Sequence, residues 1–265
     1  MRNIKLVLSY DGTEYSGWER QRDFRTLQQT LEAAVESLTG EAANVVASGR
    51  TDAGVHAIGQ VANFRTNCRH DCETIRRALN ALMPDDVRVL EAIEVNELFH
   101  ATYAAKGKLY RYVMYDGLVM DPVLRRYALH CHWPMNATAM HAEARELMGS
   151  HDFSSFETAG APRESSVRTI THVAVFRDGP ERIWNRQSAI SHQPSAISDS
   201  PLLFLEVSAN GFLYNMVRAI AGTLIDVGRG YRPAGCISEI LKACDRRRAG
   251  PTAPPHGLFL VRVDY

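Results

Sequence analysis

Asp52 lies between two glycines in the stretch Gly49-Arg50-Thr51-Asp52-Ala53-Gly54-Val55-His56-Ala57. A carboxylate there could act as a nucleophile or a general base, the two ways a lone Asp does bond-breaking work. Gly49 and Gly54 can take backbone angles closed to other residues and let a ligand approach the main chain, and Arg50 offers a fixed charge for a carboxylate or phosphate. An Asp that merely caps a turn beside an exposed Arg fits the same spacing, so both readings stand on local grounds. Tyr110 and Tyr112, on one face of the run Leu109-Tyr110-Arg111-Tyr112, read locally as ordinary packing residues of a strand. Arg218 falls on the polar side of an amphipathic segment. At about 100° per residue, Phe212, Leu213, Met216, Val217, Ile220 and Leu224 fill one arc, and Gly211, Tyr214, Asn215, Arg218 and Gly222 lie opposite. Two glycines beside one arginine mark a face that something approaches closely; a surface Arg is the plain alternative.

The elements that must hold these groups can be read from periodicity. Ile4 to Tyr10 is a strand, and Thr26 to Leu38 a helix with Leu27, Leu31, Ala34, Val35 and Leu38 on one face. Short strands at Val45–Ser48 and Ile58–Phe64 flank the Asp52 loop. A helix over Cys72–Leu82 and a strand over Val87–Val95 complete a βαββαβ order, the ferredoxin-like arrangement. A strand over Lys108–Tyr115 then leads to a helix near Ala137–Leu147, strands over Thr169–Phe176 and Leu202–Ser208, helices over Gly211–Val227 and Ile237–Cys244, and a final strand over Leu258–Val263. The reading is α+β, with two ferredoxin-like α/β halves, 1–105 and 106–265, forming an extended, mostly antiparallel sheet around a central catalytic cleft. Residues 182–201, rich in Ser, Gln and Pro with Ser188-Ala189-Ile190-Ser191 repeated at Ser195–Ser198, read as a mobile insertion with no packed core of its own.

Composition narrows the class. The chain has 265 residues, 45% hydrophobic and 23% charged, enough to bury one large or two small cores and too apolar for disorder. No apolar stretch approaches a membrane span or signal core, so a cytoplasmic protein without a membrane partner is expected. The five cysteines are scattered without zinc spacing. His130-Cys131-His132 offers two imidazoles on one strand face and no further ligand, so no metal is expected. Net charge is zero, and of 30 basic residues only Lys5, Lys106, Lys108 and Lys242 are lysine. Arginines cluster at 20–25, 65–77 and 246–248. Lining one groove, they could meet many phosphates despite the neutral total.

The string Ser48 to Ala57 closely resembles the catalytic motif of the TruA family of tRNA pseudouridine synthases. The likeness continues in order along the chain. It takes in Tyr10-Asp11-Gly12-Thr13 with Tyr15, Gly17 and Trp18, then Ala78 to Asp86, Phe99-His100-Ala101, Lys106 to Tyr112 and His151-Asp152-Phe153. Beyond these come Val167-Arg168-Thr169-Ile170, Asn210 to Arg218 and Pro254 to Leu260. The resemblance implies the pseudouridine synthase fold and a homodimer without cofactor. It also implies isomerisation of uridine to pseudouridine at positions 38, 39 and 40 of the tRNA anticodon arm. On it, Asp52 is the catalytic residue, Tyr110 the active-site tyrosine that stacks on the flipped base, Arg218 the arginine expected to pair with Asp52, and Leu258 the apolar wall behind the base. Two departures bear on RNA contacts: Thr102 stands where an Arg is expected after Phe-His-Ala, and Asn215 where some members have His. Two rival readings remain. A noncatalytic tRNA-binding or chaperone protein on the same fold would fold and bind without turnover. A nucleoside hydrolase would release free uracil, but the acidic metal cluster expected for activating water is missing from the sequence.

Overall fold

The structure, a computed structural model, describes residues 1–158, 165–188 and 199–265. The chain divides into two compact units, Met1–Lys106 with Phe259–Tyr265, and Gly107–Leu258. The boundary thus falls one residue beyond the expected one, and the C-terminal strand joins the first unit.

The first unit runs β1 (Arg2–Tyr10), α1 (Leu27–Thr39), β2 (Val46–Ala47), β3 (His56–Thr66), α2 (Cys72–Leu82) and β4 (Val87–Val95). β1 lies between β3 and β4, antiparallel to both, and β2 pairs antiparallel with β3. This strand order is what the βαββαβ reading requires. Both helices start at side-chain caps: Thr26 accepts from the Gln29 amide, and Asp71 from the Thr74 amide. α1 stops at Gly40 in the left-handed region. Strand β3 is buried along nearly its whole length, and both of its edges are paired. Its edge away from β1 is divided. β2 occupies Ala62 and Asn63, while Phe259 and Leu260 of β10 (Leu258–Asp264) run parallel to His56 and Ala57.

The second unit holds β5 (Gly107–Tyr115), β6 (Leu129–His130), α3 (Ala137–Arg145), β7 (Gly149–Asp152), β8 (Val167–Arg177), β9 (Leu202–Ala209), α4 (Met216–Gly228) and α5 (Cys236–Ala243). Its strands run in the order β5-β9-β8-β7, antiparallel throughout, with the short β6 parallel to β5. The fold is α+β with mostly antiparallel pairing, the class the sequence predicts. No helix among the described residues is long and apolar enough to cross a membrane.

Two sequence readings shift. The helix expected from Gly211 begins only at Met216, because Asn215 sits at φ 60° and breaks the helical run before it. The expected excursion over 182–201 starts as packed chain: Arg182, Ile183 and Ser188 are buried. They close over a fully buried ion pair in which Arg111 Nε donates to Glu206 Oε1 at 2.9 Å. Arg111 also donates to the carbonyls of Arg182 (2.6 Å), Asn185 (2.7 Å) and Gln187 (3.1 Å). Burial pulls the Arg111 pKa down, against the raising influence of Glu206. The repeated Ser-Ala-Ile-Ser motif lies largely in 189–198, outside the described residues.

Candidate active site

Asp52 is half-buried on the loop between β2 and β3. That loop is tied down along its length. The Val55 amide donates to the Asp52 carbonyl at 3.1 Å, closing a tight turn that Gly54 completes at φ 75°. The loop after β1 lies directly against it: Trp18 N–H donates to Thr51 O at 3.0 Å, and Gly54 N–H to Tyr15 O at 3.3 Å. Gly17 is required there twice over. Its φ is 93°, and a β-carbon would stand 2.8 Å from the Thr51 carbonyl oxygen.

Beneath the loop is a buried polar cluster. Tyr10 and Thr51 share a hydroxyl hydrogen bond of 2.9 Å. Gln60 Nε2 donates to Gly49 O at 2.9 Å and to the Tyr10 hydroxyl at 3.4 Å, while its Oε1 accepts from Ser48 Oγ at 2.7 Å. Burial pushes the Tyr10 phenol up to about 12, outweighing the lowering effect of its bonds to Thr51 and Gln60. On the far side of the loop His56, buried and stacked on Phe259 at 4.8 Å, places Nδ1 3.2 Å from Asp11 Oδ1 and 3.1 Å from the Gly12 amide. These contacts are alternatives: a bare Nδ1 accepts from Gly12, a protonated one donates to Asp11. Burial opposes charge on Asp11, but hydrogen bonds from His56 and Thr13 outweigh it and hold this carboxyl well below the usual range. Neither cluster was singled out from sequence. Their members lie in separate pieces of the chain, and although all but Gln60 fall inside the matched motifs, nothing in those motifs says which of them meet.

Arg50 is three-quarters exposed and pairs with Glu19 at 2.6 Å, so its charge is already matched by a carboxylate of its own chain. Several other clustered arginines are likewise engaged. Arg20 pairs with Glu32, Arg25 with Asp86 (3.0 Å), Arg76 with Glu73 (2.6 Å) and Arg247 with Asp245 (2.8 Å).

In the second unit, Tyr110 is buried in β5 opposite Val207 and meets Phe212 edge-on at 4.9 Å. Strand alternation puts Lys108 on the same face, and burial lowers that lysine's pKa. Lys108 was also passed over in sequence, although its spacing two before Tyr110 carried the signal. Arg218, in the first turn of α4, donates from Nε to Ala253 O at 2.8 Å and from a terminal nitrogen to Asn215 Oδ1 at 2.7 Å. Asn215 is itself held by donating to Thr158 Oγ1 at 3.0 Å, so the residue that replaces a histidine serves to orient Arg218. Thr102, the other departure, anchors its own turn by donating to Ala47 O at 2.6 Å. Leu258 is buried at the start of β10.

The close approach inferred beside Arg218 is made by the protein's own chain. A β-carbon on Gly222 would fall 1.8 Å from Pro251 O, and Ala253 N–H donates to Arg218 O at 3.0 Å. Gly222→Ala is therefore expected to push the 251–253 segment off α4 and to cost about 1–3 kcal/mol, read as a lowered Tm. Because that segment holds Arg218, activity should fall more than the stability loss alone explains; a variant with native Tm would contradict this packing.

Among the described residues no group of three or more His, Cys, Asp or Glu side chains is placed to hold a metal ion. His130 and His132 do face each other, ring centroids 4.3 Å apart, beside the buried Cys131.

Residues 6–104 and 144–265 match the family described as tRNA pseudouridine synthase. The chain is 40% identical over 265 residues to tRNA pseudouridine synthase A of a Thermoanaerobacter species, with all of both chains covered. Against the protein of the same name from Acetivibrio thermocellus the identity is 42% over 265 residues, again over both whole chains. For the Chloroflexus aurantiacus protein of that name it is 43% over 265 residues, spanning all of this chain and 89% of the relative. With the ferredoxin-like first unit and the pinned Asp loop already in place, these matches show that the chain belongs to the tRNA pseudouridine synthase family.

Proposed function

We propose that this protein converts uridine to pseudouridine at positions 38, 39 and 40 of the tRNA anticodon stem-loop, with Asp52 as the catalytic residue. The observation that carries the reading is the half-exposed Asp52 carboxylate on a loop in which Ser48, Thr51, Val55 and His56 are buried and bonded, in a chain that matches the family over most of its length. The reaction breaks the bond from ribose C1′ to N1 of uracil, turns the base while it stays bound, and joins C5 to C1′. A C5 proton leaves and N1 gains one, so no redox partner or nucleoside triphosphate enters. The uridine must first leave its helical stack, at a cost of a few kcal/mol. Asp52 either attacks C1′ or takes a proton from C2′ to give a glycal.

Tyr110 supplies a ring for the extracted base, a contact worth about 1–3 kcal/mol. Its edge-on packing against Phe212 fixes the ring plane before substrate arrives. Arg218, oriented by Ala253 and Asn215, supplies the fixed cation, and Leu258 the apolar wall that keeps water from a hydrolysable sugar intermediate. Arg50 contributes a charge at the mouth of the loop, released from Glu19 when a phosphate competes for it. The protein works as a homodimer in the cytoplasm, an assignment supported by the family resemblance.

The test is release of tritium from an anticodon-arm tRNA labelled at uridine C5, run without metal or cofactor. Release establishes substitution at C5, and tRNA binding without release defeats the proposal in favour of a noncatalytic binder. Arg218→Ala is expected to lower kcat at least about 100-fold, since it removes a preorganised charge. A folded Arg218→Ala protein with native rate would take this residue out of the site.

A further inference from the structure

The cluster under the Asp52 loop joins three separate pieces of chain, and its geometry is more specific than packing demands. Tyr10 ends β1, Gln60 lies in β3, and Thr51 precedes Asp52 directly. The β1–β3 register shifts between Leu8 and Tyr10, so that Tyr10 stands opposite Ala57. Such a bulge re-aims a side chain, here toward the loop. Gln60 is fully buried with all its hydrogen-bonding capacity used: Oε1 accepts from Ser48 Oγ and from the Val61 amide at 3.1 Å, and Nε2 donates to Gly49 O and to the Tyr10 hydroxyl. Ser48 and Thr51 are buried as well. A phenylalanine at position 10 and a valine at position 51 would fill the same volume, so shape alone calls for neither hydroxyl.

We propose that Tyr10, Thr51 and Gln60 are positioning residues that lock the backbone on the N-terminal side of Asp52, setting the rate of the chemical step and contributing nothing to tRNA affinity. The inference rests on the reading of Asp52 as the catalytic residue. Gln60 fixes Gly49, Tyr10 fixes Thr51, and Thr51 O accepts from Trp18, so the residue before the carboxylate is held through both its side chain and its carbonyl. Position matters because a misplacement of about 1 Å in a reacting group costs on the order of 100-fold in rate.

The experiment compares Thr51→Val, Thr51→Ser and Tyr10→Phe with wild type for single-turnover rate on an anticodon-arm tRNA, Kd for that tRNA, and Tm. Thr51→Val should slow the chemical step about 100-fold and Tyr10→Phe about 10-fold, with Kd within about twofold of wild type. Thr51→Ser, which keeps the hydroxyl, should recover most of the rate. Native rates in both Thr51→Val and Tyr10→Phe overturn the proposal, as does a Thr51→Ser rate as low as that of Thr51→Val. If Thr51→Val fails to fold, Tyr10→Phe, which removes a single oxygen, decides. Asp52→Asn run alongside separates the two claims. Its activity would defeat the catalytic reading, whereas an inert Asp52→Asn with fully active hydroxyl variants would defeat the lock alone.

Discussion

Asp52→Asn is expected to fold, to bind tRNA with native affinity and to lose at least about 10³-fold in turnover. The amide is nearly the same size as the carboxylate, and the loop is held by backbone bonds of Thr51, Gly54 and Val55 that the change leaves in place, so it should not move. What is lost is a charge that can attack C1′ or take the C2′ proton. The measurement is tritium release from C5 beside a filter-binding Kd. Full activity would remove Asp52 from the chemistry, and a large rise in Kd would mean that the carboxylate serves binding instead.

Glu206→Gln is expected to destabilise the second unit by about 3–5 kcal/mol, the usual consequence of breaking a buried ion pair. Glu206 Oε1 accepts from Arg111 and, at 2.8 Å, from Arg182, and all three side chains are buried. An amide removes the carboxylate that touches both guanidinium groups, in a region where all three side chains are buried. At about 2–4 °C per kcal/mol for a domain of this size, Tm should drop by roughly 10 °C. Residues 182–188, strapped down through their carbonyls to Arg111, should also open to trypsin at Arg182 and Arg186. A drop below about 2 °C would show that the pair is dispensable.

Much of the first unit could be read from sequence because its signals are local. The α2 periodicity and the contiguous string around Asp52 each lie within a dozen residues, and α2 spans the expected Cys72–Leu82. What escaped depends on distant partners. Arg182 and Ile183 look like surface chain until Arg111, 71 residues away from the carbonyl it meets at Arg182, is seen to bond them. The close approach at Gly222 was legible, but not that Pro251 makes it. The α4 start was missed because an apolar arc continues smoothly through Phe212 and Leu213, while one left-handed residue, Asn215, decides where the helix begins. β6, two residues long, has no period to detect. Of the five proposed site residues, Asp52, Arg50 and Arg218 have a chemical reading of their own beside an ordinary turn or surface one, whereas Tyr110 and Leu258 could be named only through the family motif; Arg50 is found paired with Glu19.

The division of the β3 edge between β2 and β10 has a consequence for how the protein is made. Phe259 and Leu260 cover His56 and Ala57, immediately after the Asp52 loop, yet they leave the ribosome only after every residue of the second unit. Until then the nascent first unit carries an uncapped strand edge beside the Asp52 loop, a surface prone to pairing with other chains. A chain stalled or cleaved before residue 259 therefore has every residue of the Asp52 loop but lacks the strand that pairs with β3 directly after it.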